Sequence, residues 1–178
     1  MKAYMKKLAV LAIIAAPGFA AAADTITFNG EVTDQTCAVT INGTTGNATV
    51  MLPTVSAAAL SGANSTAGST PFTLGVSGCS TTGAQSIKAK FLGHSVDGNG
   101  NLSNIAASNP ATNVALQLQE AVGGAVISLN GVTSAATGID LAGATSGSHD
   151  YAVQYVSVPG AATAGLVTGV TEYTVTYQ

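Results

Sequence analysis

Short runs in which apolar and polar residues alternate recur along this chain, at residues 25–28, 37–41, 48–52, 71–76, 87–92, 114–119, 151–158 and 173–177. A period of two puts every second side chain on the same face of an extended backbone, the pattern of a strand with one face buried. Turn formers punctuate the runs: Asn42-Gly43, the stretch Asp97-Gly98-Asn99-Gly100-Asn101, Gly123-Gly124 and Gly160. Strands at this spacing predict an all-β, antiparallel sandwich. Helical periodicity is nearly absent. Only Thr54 to Leu60, with a cap at Thr54 or Ser56 and Gly62 beyond its end, fits a turn or two of helix. The segment Leu60 to Thr70, rich in small polar residues, reads as a loop, and no internal repeat or domain boundary is visible.

The first residues add a location. Met1 to Lys7 is short and basic, Leu8 to Ala16 is apolar, and Ala20 to Ala23 supplies small residues, the three-part layout of a secretory signal peptide. A cut between residues 20 and 24 assigns 1–22 to the leader and leaves about 155 residues, as a prior one domain. The apolar run is shorter than the roughly 20 residues a spanning helix needs, so no membrane span is expected in the mature chain. Removing the leader leaves Lys88 and Lys90 against Asp24, Glu31, Asp34, Asp97, Glu120, Asp140, Asp150 and Glu172, with no arginine anywhere. Nucleic-acid binding depends on clustered Lys and Arg, and this balance argues against it.

Two cysteines, Cys37 and Cys79, remain after export, where an even pair reads as a disulfide. Neither has a second cysteine or a histidine close in sequence, as a redox or thiol-nucleophile site would require. The stretch from Asp97 has oxygens at alternate positions, yet Leu102 stands where a calcium loop needs glycine and Ser108 where it needs a bidentate Glu. It reads as a plain turn. His94 and His149 are the only histidines, too few for a typical catalytic zinc site, and read as polar residues flanking loops. No Gly-x-Ser-x-Gly elbow occurs. No enzyme, cofactor or metal is expected.

Both ends of the mature chain carry a resemblance. Residues 24–37 contain Phe28-Asn29-Gly30-Glu31-Val32 with the first cysteine five residues after the valine. Leu52-Pro53-Thr54-Val55, then Pro71-Phe72-Thr73-Leu74 and Gly78-Cys79, follow. The chain closes on alternating Tyr173, Val175 and Tyr177 before Gln178, with Gly165 fourteenth from the end. In these features it resembles the chaperone–usher pilins, nearest the major shaft subunits of type 1 and F17-like fimbriae. Residues 93–147 match only in texture.

That resemblance implies an immunoglobulin-like sandwich lacking its final strand. It divides the mature chain into a donor-strand extension, 23–34, and a pilin domain, 35–178. A periplasmic chaperone would lend a strand until the extension of a neighbouring pilin replaces it at an outer-membrane usher, building a fibre with tip subunits at the cell surface. Backbone pairing and alternate side chains in pockets are the physics of such strand addition. Ile26, Phe28, Gly30 and Val32 share one face of the extension and are the implied donor residues. Taken alone, the same alternation fits an ordinary first strand of the chain's own domain. Tyr173, Val175, Tyr177 and the carboxylate of Gln178, with Gly165, are the implied chaperone- and subunit-binding residues. A minor tip or adaptor pilin, or a receptor-binding subunit, is the alternative role.

Overall fold

The computed structural model describes residues 37–80 and 86–178. Its strands are β1 (Ala38–Ile41), β2 (Ser65–Ser77), β3 (Ser86–Gly93), β4 (Leu102–Ser103), β5 (Ala115–Gln119), β6 (Val126–Ile127), β7 (Thr133–Asp140), β8 (Ser146–Ser157) and β9 (Thr171–Tyr177). One sheet runs β1-β2-β8-β5-β4, with β6 also on β5; the other runs β7-β3-β9. Every ladder is antiparallel. The chain therefore builds the β-rich architecture that alternation predicts.

The period of two decides what each strand buries. Phe72, Leu74 and Val76 of β2, Ile87, Ala89 and Phe91 of β3, Leu116 and Leu118 of β5, and Tyr151 and Val153 of β8 all enter one core cluster. Tyr151 ties the layers together. Its ring lies 5.8 Å from its cross-strand neighbour Phe72 and 5.3 Å, edge-on, from Phe91 of the other sheet. Such aromatic pairs add about 0.5–1.5 kcal/mol each beyond the area they bury.

The tyrosine hydroxyl has to be satisfied inside this cluster, and it donates to the Thr137 carbonyl at 3.1 Å. Burial, reinforced by the Glu120 carboxylate, pushes the Tyr151 pKa up to about 12. A raised folded-state pKa favours the neutral phenol. The stability this confers is complete below the unfolded tyrosine pKa of about 10 and is lost as pH rises toward 12. Tyr151→Phe should flatten that alkaline loss in denaturant melts at about pH 9, 10 and 11. A wild-type slope retained by the variant would assign the transition to another group.

Three readings of the sequence change. Residues 48–52 alternate but form no strand; the run is extended, with Val50 and Leu52 half-buried against the core and no ladder partner among the described residues. Part of the expected loop at Leu60 to Thr70 is strand, because β2 begins at Ser65 and pairs with β8 through a bulge between Ala67 and Thr70. Gly68 sits in that bulge at φ 65°, where a Cβ would come 2.9 Å from Val55 and 3.0 Å from Tyr155, so only glycine fits. The strand β7 was not foreseen. The expected helical turn exists as a 3₁₀ turn, Ala57–Leu60, capped by Ser56 as its hydroxyl accepts from the Ala58 amide at 3.2 Å.

Candidate functional site

Each sheet ends in an edge, and two of those edges face each other. Among the described residues β9 has a ladder neighbour on one side only, β3, and β1 likewise pairs only with β2. Side chains, not backbone, span the gap between them: the Tyr177 hydroxyl accepts from the Cys37 amide at 3.2 Å, and the Tyr173 hydroxyl donates to the Gly46 carbonyl at 3.3 Å. Among the described residues this leaves an open seam along one flank of the sandwich.

The seam is apolar. Tyr173, Val175 and Tyr177 point inward from β9, and Val39, Val50 and Leu52 from the facing segment; all pack on the core and all are only half-buried. Glu172 and Thr174 lie on the opposite, exposed face of β9. Half-covered apolar side chains beside a strand edge with unpaired backbone groups make a template for a further strand. The alternation of Tyr173, Val175 and Tyr177 predicts the strand that carries them, whereas residues 48–52, expected as a strand, supply Val50 and Leu52 to the opposite wall without forming one.

Cys37 and Cys79 form a disulfide, with Cα atoms 4.5 Å apart and a sequence separation of 42. Cys37 precedes β1 and Cys79 follows β2, and the ladder runs from Ala38↔Ser77 to Ile41↔Leu74. The bridge thus fastens one wall of the seam to its sheet. The hairpin-like turn after β1 is closed by Asn42 and Gly43 at φ 50° and 77°, as Asn-Gly favours.

Gly165 lies away from β9, in the connection that leads to it. A Cβ there would sit 2.4 Å from the Ala111 amide nitrogen and 2.6 Å from the Pro110 carbonyl carbon. Its need for glycine is thus met within the chain, and Gly165→Asp would disturb this subunit's own packing before it tested any partner. Gln178 continues the β9 pairing through two backbone bonds with Ser86, at 2.8 and 3.2 Å. Ile26, Phe28, Gly30, Val32 and the leader lie outside the described residues.

The remaining polar groups hold structure. Glu120, not singled out from sequence, receives the amides of Ala136 at 2.6 Å and Thr137 at 3.0 Å in the bulge of β7, bridging the two sheets. His149 belongs to β8 and not to a loop; its Nε2 meets the Glu120 carbonyl at 2.8 Å. In the Asp97 turn the carboxylate accepts from the amides of Asn99 and Asn101 at 2.8 and 2.9 Å. Burial raises that carboxyl's pKa, but the bonds from Asn101 and Asn99 outweigh it, and the net direction is down. A hollow of about 280 Å³ beside this turn includes Asn104, whose side-chain nitrogen is spent on the carbonyls of Ala111 and Leu166. No helix among the described residues is long and apolar enough to cross a membrane.

With this geometry in hand, comparison with known proteins is direct. A family described as "Fimbrial protein" matches residues 26–178. The chain is 43% identical over 160 residues to an F17 fimbrial protein of Escherichia coli, covering 86% of each chain. It is 42% identical over 178 residues to the major fimbrial subunit SMF-1 of Stenotrophomonas maltophilia, covering 93% of this chain and 99% of the relative. Against the minor fimbrial subunit HifD of Haemophilus influenzae the identity is 35% over 182 residues, covering 98% and 83%. Among solved structures the P pilus rod subunit PapA superposes with a TM-score of 0.57 at 19% identity, covering 79% of this chain and 99% of that one, a likeness of fold.

Proposed function

The chain belongs to the fimbrial protein family, a family of structural subunits and not of enzymes, and from that premise we propose that it builds the shaft of a bacterial surface fimbria by donor-strand exchange. The observation that carries this reading is the open seam between β1 and β9, walled by half-buried Tyr173, Val175 and Tyr177 on one side. An edge of this kind invites aggregation unless something covers it. The chain's own extension, residues 23–34, carries the matching pattern: Ile26, Phe28, Gly30 and Val32 on one face. At about 25 cal/mol per Å² and roughly 150 Å² for a buried phenylalanine, Phe28 alone contributes a few kcal/mol to the contact.

Direction follows from where the chain ends lie. Cys37, from which the extension departs, is held at the Tyr177 end of β9. A donor running antiparallel to β9 places the donating copy's body at the other end, near Thr171. Each subunit then receives at one end and gives from the opposite one, the head-to-tail arrangement that propagates an open filament. Parallel insertion would crowd both bodies at one end.

Before assembly the seam requires a temporary strand, the role of a periplasmic chaperone, with an outer-membrane usher as the place of exchange and the cell surface as destination. The shaft role is supported by the higher identity to a major subunit, 42%, than to a minor one, 35%; the adaptor role is the second reading, supported by that minor relative's match over 98% of this chain.

Tyr177 gives the test of the β9 wall. Tyr177→Ser removes a ring packed on the core and the phenol oxygen that accepts from the Cys37 amide. The expected loss is about 2–4 kcal/mol, with a severalfold fall in chaperone-held subunit recovered from the periplasm. Tyr177→Phe, which keeps the ring, should recover most of the yield. Equal yields for Ser and wild type would remove β9 as the capture surface.

A further inference from the structure

We propose that an exposed apolar patch at the Thr171 end of β9 is the seat for the body of a second copy of this chain, beyond the strand contact itself. This rests on the strand-exchange reading above. Among the described residues eight large hydrophobic side chains are exposed, and five of them, Leu92, Ile105, Val132, Leu166 and Val170, gather at this end. Scattered singles would need no explanation; a cluster does.

The local chain explains how they gather. Residues 166–170 lead into β9, with Val167 and Gly169 half-buried and Leu166, Thr168 and Val170 exposed. Ile105 lies beside them, its amide donating to the Thr168 carbonyl at 2.8 Å. Leu92 pairs with Glu172 across the β3–β9 ladder, so it is the diagonal neighbour of Val170 on the same outward face. Val132 immediately precedes Thr133, the β7 partner of Phe91, and extends the row past Leu92.

The occupant follows from the length of the tether. Only five steps of chain lead from Val32 to Cys37. At about 3.3 Å per residue they reach no more than about 17 Å. When Val32 of a donor leaves the seam at Thr171, the donor's own sandwich must therefore lie against that end, presenting the pole that carries Cys37. The patch flanks that same Thr171 end of β9, on the outward face of the strand. The opposite pole, around residues 142–146, exposes Ala, Gly, Thr and Ser but none of the large hydrophobics. An apolar seat that, among the described residues, lies at one pole and not the other fits a heterologous contact between successive copies.

Hydroxyl-radical footprinting of assembled fibres tests this with controls inside the same molecule. Val122 and Val126 are 59% and 49% exposed, close to Leu166 at 56% and Val170 at 46%. With each rate scaled to that of the denatured chain, Leu166 and Val170 should react about fivefold more slowly than Val122 and Val126, as residues in an interface core do. Equal rates, with Phe28 shielded in the same fibres, would overturn the seat and leave strand exchange standing. A reactive Phe28 would overturn the strand-exchange reading, and this inference with it, whatever the patch shows.

Discussion

Deleting Asp24 to Glu31 should abolish fibres while leaving the subunit able to be captured. The deletion removes Ile26, Phe28 and Gly30 from the donor face and nothing from the described sandwich. The truncated chain keeps its seam, and so should still be recovered in complex with a chaperone at roughly wild-type yield, since every strand and the disulfide are retained. It has nothing to offer the next copy. Electron microscopy of cells should show no shafts, and denaturing gels without heating should show no ladder of oligomers. Co-expressed with the intact chain, it should cap growing fibres and shorten them. Normal assembly by the truncated chain would mean that polymer contacts are made elsewhere. The expected effect is all-or-none because the proposed donor segment is both the tether and the source of the side chains for the seam.

Replacing both cysteines by alanine should cost about 4 kcal/mol, the chain-entropy value for a loop of this size. The bridge closes a separation of 42 residues between Cys37 and Cys79. Its position adds to its weight. β1 is four residues long and has a ladder partner on one side only, so the disulfide and the Tyr177–Cys37 bond are what hold the start of that wall in register. Without the bridge β1 should fray and the seam should lose one of its walls. Denaturant unfolding of the subunit filled with a peptide of residues 24–34 measures the loss. Melting curves that coincide within about 1 kcal/mol would show that the ladder alone suffices. A donor peptide that binds the alanine variant as tightly as wild type would detach the disulfide from seam integrity.

The strands with large alternating side chains were more legible in the sequence than the stretches of small polar residues, and the reason is physical. Strands β1, β3, β5, β8 and β9 alternate apolar and polar residues with large side chains, so their inward faces are written in Val, Ile, Leu, Phe and Tyr. β7 carries only Ala135 and Ile139 inward, with Ser, Thr, Ala and Gly elsewhere and a bulge opposite Ala89, and such a run gives almost no periodic signal. Residues 48–52 give the opposite error. Their alternation is real and buries Val50 and Leu52 halfway, but burial on one face needs no ladder. The first half of β2 was hidden because Ser65 to Thr70 is polar, and it is a strand through its pairing with β8. Glu120 could not be read from sequence at all, since its two acceptor bonds go to amides 16 and 17 residues away across the sandwich. The strand β9 was legible, because Tyr173, Val175 and Tyr177 keep strict spacing.

The central claim is that the strand filling this seam comes from another molecule, and a photo-reactive phenylalanine analogue at position 28 tests it most directly. Irradiated fibres should yield adducts of twice the subunit mass, mapping by peptide sequencing to β9 or to residues 37–52 of a different chain, with isotopically mixed fibres proving that two molecules are joined. Adducts confined to a single chain, with residue 28 linked to its own β9, would contradict it and describe a sandwich that completes itself.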